Sequence, residues 1–307
     1  MQRKHFIQNS FLTGASLLTG AVADAASGKA GGLRGSDQSF HLNYGIHDGM
    51  FRNSAGNNFI DQMKFAYDHG FRAIEDNGMP RRPAGEQQKI GDALTKLGMA
   101  MGVFVLDKAG NGENSLATGK PEYLEIFLKG CRQAVEVSKR CNGKLTTVVP
   151  GDFERDLPIG IQTGNVIEAL RRGVEILEPH GIIMVLEPLS DTPDLFLRNS
   201  DQTYAICKAI NSPSCKILFD MYHMQRNEGN LIHNIDLTYS EIGYFQIGNN
   251  PGRNEPTTGE MDYKNIFKHI YNKGYKGILG MEHGISQPGK EGELALIKAY
   301  RDSDNFI

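Results

Sequence analysis

Ile182-Ile183-Met184-Val185-Leu186-Glu187-Pro188 is an apolar run without alternation, closed by a carboxylate and a proline. A short continuous apolar run fits a strand buried on both faces, as in a parallel sheet, better than a half-exposed one. Amphipathic helical patterns flank it, Thr163 to Pro179 before and Ser200 to Ile210 after. The same unit repeats in both directions along the chain. Strands are expected at Phe40–Ile46, Ala73–Glu75, Ala100–Leu106, Lys144–Val149, Ile182–Glu187, Lys216–Asp220, Tyr244–Ile247 and Gly277–Glu282. Further helices are expected over Phe59–His69, Pro83–Leu97, Pro121–Cys141, Leu231–Ser240, Tyr263–Lys273 and Glu291–Tyr300, with Gly98 as a helix stop. This alternation is that of an α/β protein with one (β/α)8 TIM barrel over residues 39–307. A doubly wound sheet is the alternative, but no GxGxxG follows the first strand, so a dinucleotide-binding fold lacks its main mark.

Composition agrees with a globular domain: 39% of the 307 residues are hydrophobic and 22% charged. A formal net charge of -3 gives no basic excess, which argues against a nucleic-acid partner. No apolar stretch reaches the roughly 20 residues of a membrane-spanning helix, so the mature protein is expected to have no membrane partner. The first 25 residues read as a twin-arginine-like export signal: Arg3-Lys4, a mild apolar run from Phe11 to Val22, then Ala23-Asp24-Ala25 as a cleavage site. A periplasmic or exported location follows, with a cytoplasmic one as the alternative. Residues 26–38 read as a Gly/Ser-rich linker. Cys131, Cys141, Cys207 and Cys215 form no CxxC pair, which argues against structural zinc, and free thiols are favoured.

In a barrel of this kind the active site lies at the C-terminal ends of the strands. Four consecutive strands end in oxygen donors: Glu187, then Asp220, Gln246 and Glu282. Taken singly, each is an ordinary loop residue. In register on neighbouring strands, three carboxylates repel one another unless a cation is shared. An all-oxygen set suits a hard divalent ion, Mg²⁺ or Mn²⁺. His223 lies just past the sixth strand, Arg253 in a Pro-Gly-Arg turn, and His47 and Glu75 at the ends of the first and second strands. All four are candidates to line the pocket. His283 should point away from Glu282 by strand alternation.

The segment Phe245-Gln246-Ile247-Gly248-Asn249-Asn250-Pro251-Gly252-Arg253-Asn254-Glu255-Pro256, continued by Gly259-Glu260-Met261-Asp262-Tyr263, closely resembles the strand-seven region of hydroxypyruvate isomerases. Leu186-Glu187-Pro188 and Asp220-Met221-Tyr222-His223 fit the same family. The wider group is the xylose-isomerase-like barrel superfamily, and the resemblance runs from about Phe40 to the C-terminus. It implies metal ligation by Glu187, Asp220, Gln246 and Glu282, with Glu187 and Glu282 also flanking the substrate as an acid/base pair. It implies that His223 and Arg253 bind the substrate oxygen on which charge develops. Ile74-Glu75-Asp76-Asn77 and Gly45-Ile46-His47-Asp48 depart from the family pattern, and these loops shape the pocket.

The reading is therefore a metal-dependent isomerase of a small hydroxy-carbonyl or sugar substrate, working through a cis-enediolate. A ketose 3-epimerase acting on free sugars is the alternative. A non-catalytic sugar-binding barrel would not need both glutamates. An endonuclease-IV-like phosphodiesterase would need a histidine-rich cluster of zinc ions, which the histidines here do not recreate. Barrels of this kind often pair, so a homo-oligomer is a further expectation.

Overall fold

The computed structural model describes residues 39–307; the expected export signal and linker lie outside the described residues. The strands are β1 (Asn43–Ile46), β2 (Ala73–Ile74), β3 (Ala100–Met101), β4 (Val103–Val105), β5 (Leu145–Val148), β6 (Ile183–Leu186), β7 (Cys215–Asp220), β8 (Ile242–Gln246) and β9 (Ile278–Gly280). All pair in parallel, in the order β3-β2-β1-β9-β8-β7-β6-β5-β4. The two ends of that order, β3 and β4, are halves of the single strand expected over Ala100–Leu106. The sheet therefore closes on itself as a TIM barrel. The break falls at Gly102, where a Cβ would collide with the Tyr244 hydroxyl and the Ile74 carbonyl. Two hydrogen bonds bridge it: Gly102 N–H donates to Ile74 O (2.7 Å) and Asp76 N–H to Val103 O (3.2 Å).

The helices follow from local chemistry. Pro121–Cys141 begins on its proline, carries Glu122 in the first turn and Lys139 and Arg140 in the last, and ends at Asn142 in the left-handed conformation. Its buried stripe includes Phe127, Leu128, Cys131, Ala134 and Val135, the expected spacing of three and four. Ala84–Leu97 stops at Gly98 (φ 65°), as expected. Two α-helices among the described residues were not foreseen, the single turn Arg52–Ala55 and, at the site, Met221–Asn227. Met221–Asn227 starts directly after β7, with the Asp220 carboxylate accepting from Tyr222 N–H as its N-cap (2.7 Å). It turns His223 inward, where a loop had been expected. All four cysteines are buried free thiols. Among the described residues no helix is long and apolar enough to cross a membrane.

Strand alternation sorts the barrel interior into layers. Ala73, Val103, Val185, Leu218, Tyr244 and Ile278 pack together as the inner apolar core. Two residues further along the same strands, and so on the same face, come Glu75, Val105, Glu187, Asp220, Gln246 and Gly280. Glu282 follows Gly280 by two more. The polar layer thus sits directly on the apolar one, at the C-terminal mouth of the barrel.

Candidate active site

The Cα register places Asp220 opposite Gln246, and Gln246 opposite Gly280. Ligand atoms of Glu187, Asp220, His223 and Glu282 all lie within 4.8 Å of one another. Glu187, His223, Arg253 and Glu282 line one cavity of about 100 Å³ together with Asn77, Val105, Asn111, Thr147, Val149, Leu189 and Asp191. That volume is well below the roughly 300–1,000 Å³ of pockets for drug-sized ligands. A larger groove of about 540 Å³, around Tyr204, Glu228 and Leu237, holds no such cluster.

The two glutamates differ in their surroundings. Glu282 accepts from Asn77 Nδ2 (2.8 Å) and from an Arg253 guanidinium nitrogen (2.6 Å). Among the described residues nothing donates a hydrogen bond to the Glu187 carboxylate; His223 Nε2 lies 4.0 Å from it. Burial, reinforced by the charges of Glu282 and Asp220, holds Glu187 well above the usual carboxylate range. Burial, with Glu75 and Asp220, pushes Glu282 up to about 8. Arg253 also donates to Asp220 (3.0 Å). It reaches the site from a left-handed turn (φ 49°) pinned by Gly284 N–H on its carbonyl (2.8 Å).

His223 is 1% exposed, and its orientation is fixed. Ser190 N–H donates to its Nδ1 (3.1 Å), so that nitrogen carries a lone pair. Burial draws the imidazole below its ordinary pKa, which favours the neutral ring. The proton then sits on Nε2, which faces Asp220 (3.5 Å) and Glu187. A metal ligand needs a lone pair at that atom. His223 thus offers the cavity a hydrogen-bond donor, and the metal-type donors that remain are oxygens.

The expected ligand set fits a hard cation. Glu187, Asp220 and Glu282 converge as carboxylates, and Gln246 Oε1 is a buried oxygen without a partner. Glu75 and His47 fall elsewhere than expected. Glu75 is fully buried behind the cavity, with its oxygens taken by Tyr244 Oη (2.8 Å) and Gln246 Nε2 (2.6 Å). His47 Nε2 faces Glu75 (3.1 Å) and is absent from the cavity lining. Reading strand ends as open to solvent placed both too far forward. Sequence reading missed Asn77 and Thr147. The signal for them is parity: each lies on the inward face, two residues past Glu75 and Leu145. His283 points away, as expected, and its ring stacks on Tyr300.

A family model described as the xylose isomerase-like TIM barrel matches residues 63–302. The chain belongs to that family. The hydroxypyruvate isomerase of Escherichia coli (strain K12) is 29% identical over 245 residues, covering 79% of this chain and 94% of the relative. The 2-oxo-tetronate isomerase of Cupriavidus necator is 28% identical over 246 residues, covering 79% and 93%. Among solved structures, a D-psicose 3-epimerase crystallised in the presence of D-fructose superposes with a TM-score of 0.67 at 16% identity, covering 86% of this chain and 96% of that one. An AP endonuclease, family 2, from Brucella melitensis gives 0.71 at 20%, covering 84% and 99%. At such identities the structural likeness shows the fold alone.

Proposed function

We propose that this protein is a metal-assisted isomerase of a small hydroxy-carbonyl substrate, acting through a cis-enediolate. One observation carries the reading. Two glutamates with raised proton affinity face one small cavity, beside a neutral histidine that offers N–H and an arginine. The isomerase names of its relatives support it. Glu187, Asp220, Gln246 and Glu282 would hold Mg²⁺ or Mn²⁺, which when bound supplies Lewis-acid polarisation of the substrate carbonyl.

Glu187, free of hydrogen-bond donors, removes the proton from the carbon beside the carbonyl. A raised proton affinity suits a base working near neutral pH. His223 Nε2–H and the Arg253 guanidinium donate to the oxygen on which charge grows. Glu282, oriented by Asn77 and Arg253, faces the same carbons as the second proton carrier. Return of the proton to the former carbonyl carbon, with the proton of the neighbouring hydroxyl passing to the former carbonyl oxygen, gives aldose–ketose isomerisation. Return to the opposite face of the carbon that lost it gives epimerisation. Isomerisation is favoured because the named relatives at 29% and 28% identity are isomerases. Residues 1–25 are proposed to export the protein, which would meet free substrates outside the cytoplasm.

The test is hydrogen exchange in D₂O with hydroxypyruvate and a panel of free ketoses, with and without added Mn²⁺ or Mg²⁺, followed by NMR. Metal-dependent deuterium at the carbon beside the carbonyl supports the reading, and the product separates isomerase from epimerase. Bound metal with no exchange across the panel overturns it.

A further inference from the structure

Beneath the cavity lies a buried polar group that the proposed proton transfers do not use. Glu75, at 0% exposure, accepts from Tyr244 Oη on one oxygen (2.8 Å) and from Gln246 Nε2 on the other (2.6 Å), with His47 Nε2 at 3.1 Å. Burying a carboxylate this deeply is unfavourable unless donors surround it. Space is reserved for it as well. A Cβ on Gly280 would overlap Glu75 Oε2, and one on Gly102 would overlap the Tyr244 hydroxyl. Glycine at 280 on β9 and at 102 between β3 and β4 therefore leaves the room this pair needs, and the strand breaks at Gly102.

The consequence is felt at Gln246. A primary amide has a donor end and an acceptor end, and the two are interchangeable in shape. A carboxylate can only accept. With Glu75 against it, Gln246 must turn Nε2 downward, and Oε1 is left without a partner. Asp220 stands opposite Gln246 in the register. We infer that Glu75 is a positioning residue: it locks the amide of Gln246 so that oxygen, not nitrogen, is presented to a divalent cation held with Glu187, Asp220 and Glu282. Tyr244 in turn holds Glu75 by its hydrogen bond, and His47 Nε2 stands beside it at 3.1 Å. The inference rests on the metal-assisted reading above.

Exchange of the two side-chain types tests it. In Glu75→Gln the new amide can donate to Gln246 Oε1, so the oxygen is no longer fixed toward the cation. Loss of such an outer partner typically weakens metal affinity about 10–100-fold. In Gln246→Glu two carboxylates meet at hydrogen-bond distance, and metal binding and thermal stability both fall. In the double variant E75Q/Q246E the amide lies below and donates, while the carboxylate above needs no fixed orientation, so Mn²⁺ affinity returns to within a few-fold of the parent. Affinity is read by calorimetry and by the EPR signal of free Mn²⁺, each with a thermal melt. A folded Glu75→Gln protein with unchanged Mn²⁺ affinity overturns the positioning role. So does a double variant whose melting temperature recovers while its metal affinity does not. If the parent protein binds no Mn²⁺ or Mg²⁺, it is the metal-assisted reading that fails.

Discussion

Asp304 and Glu187 are both buried carboxylates, one beside the start of β1 and one at the opposite mouth of the barrel. Asp304, at the end of the helix Gly289–Asp304, accepts from His41 N–H (2.6 Å), Leu42 N–H (3.4 Å) and Tyr44 Oη (2.8 Å), with His41 Nδ1 at 3.0 Å. It fastens the C-terminal helix to the first strand. Glu187 accepts from no described residue, and it lies against Asp220 and Glu282. A carboxylate that serves the fold is satisfied by the fold. One left without a donor among like charges is held there by packing elsewhere.

The contrast breaks most sharply in activity. Glu187→Gln should lower the exchange rate by about 10²–10⁴-fold, the usual share of a general base, while the metal-free protein melts at the same or a higher temperature. Asp304→Asn should do the reverse. It replaces an acceptor by a donor facing buried donors, and should cost about 2–4 kcal/mol of stability with the activity per folded molecule kept. Urea unfolding and the exchange assay on both variants check the crossed pattern; a Glu187→Gln protein as destabilised as Asp304→Asn would erase the distinction.

The same contrast has a pH signature. Glu282 holds its proton up to about 8 in the folded chain, from an ordinary value of 4.5. Between those values the folded state binds more protons than the unfolded one, so the stability of metal-free protein falls as pH rises through this window. Melts at several pH values should show that slope, flattened in Glu282→Gln and retained in Asp304→Asn. The smallest expected effect lies on the neutral wall of the cavity. Thr147 is 1% exposed and its hydroxyl has no partner among the described residues. Thr147→Val should remove about 0.5–1.5 kcal/mol of substrate binding, a several-fold rise in KM, with metal affinity unchanged.

The β6 to β9 half of the site was the more legible in the sequence. Glu187, Asp220, Gln246 and Glu282 each close an apolar strand, and an apolar strand announces both its burial and its end. Inward parity on those strands ties each of them to a core residue two or four positions earlier. The other half was harder to read. β2 and β3 are two residues long, too short for a period of two to be visible, and Asn77 and Thr147 carry no charge to draw notice. Helix Met221–Asn227 was hidden because its N-cap, Asp220, is also the last residue of a strand.

The sequence by itself determined the barrel, its eight repeating units and the ring of oxygen donors at one mouth. Those depend on periodicity and burial, which are local and written in residue type. Tertiary structure alone decided which oxygens are free. Glu75 and Glu187 look alike at the ends of their strands. Yet Glu75 is enclosed by Tyr244, Gln246 and His47, and Glu187 is left without a donor among the described residues. Hydrogen-bond satisfaction is a property of neighbours brought together across the barrel, Glu75 and Gln246 being 171 positions apart in the chain, and no local pattern carries it.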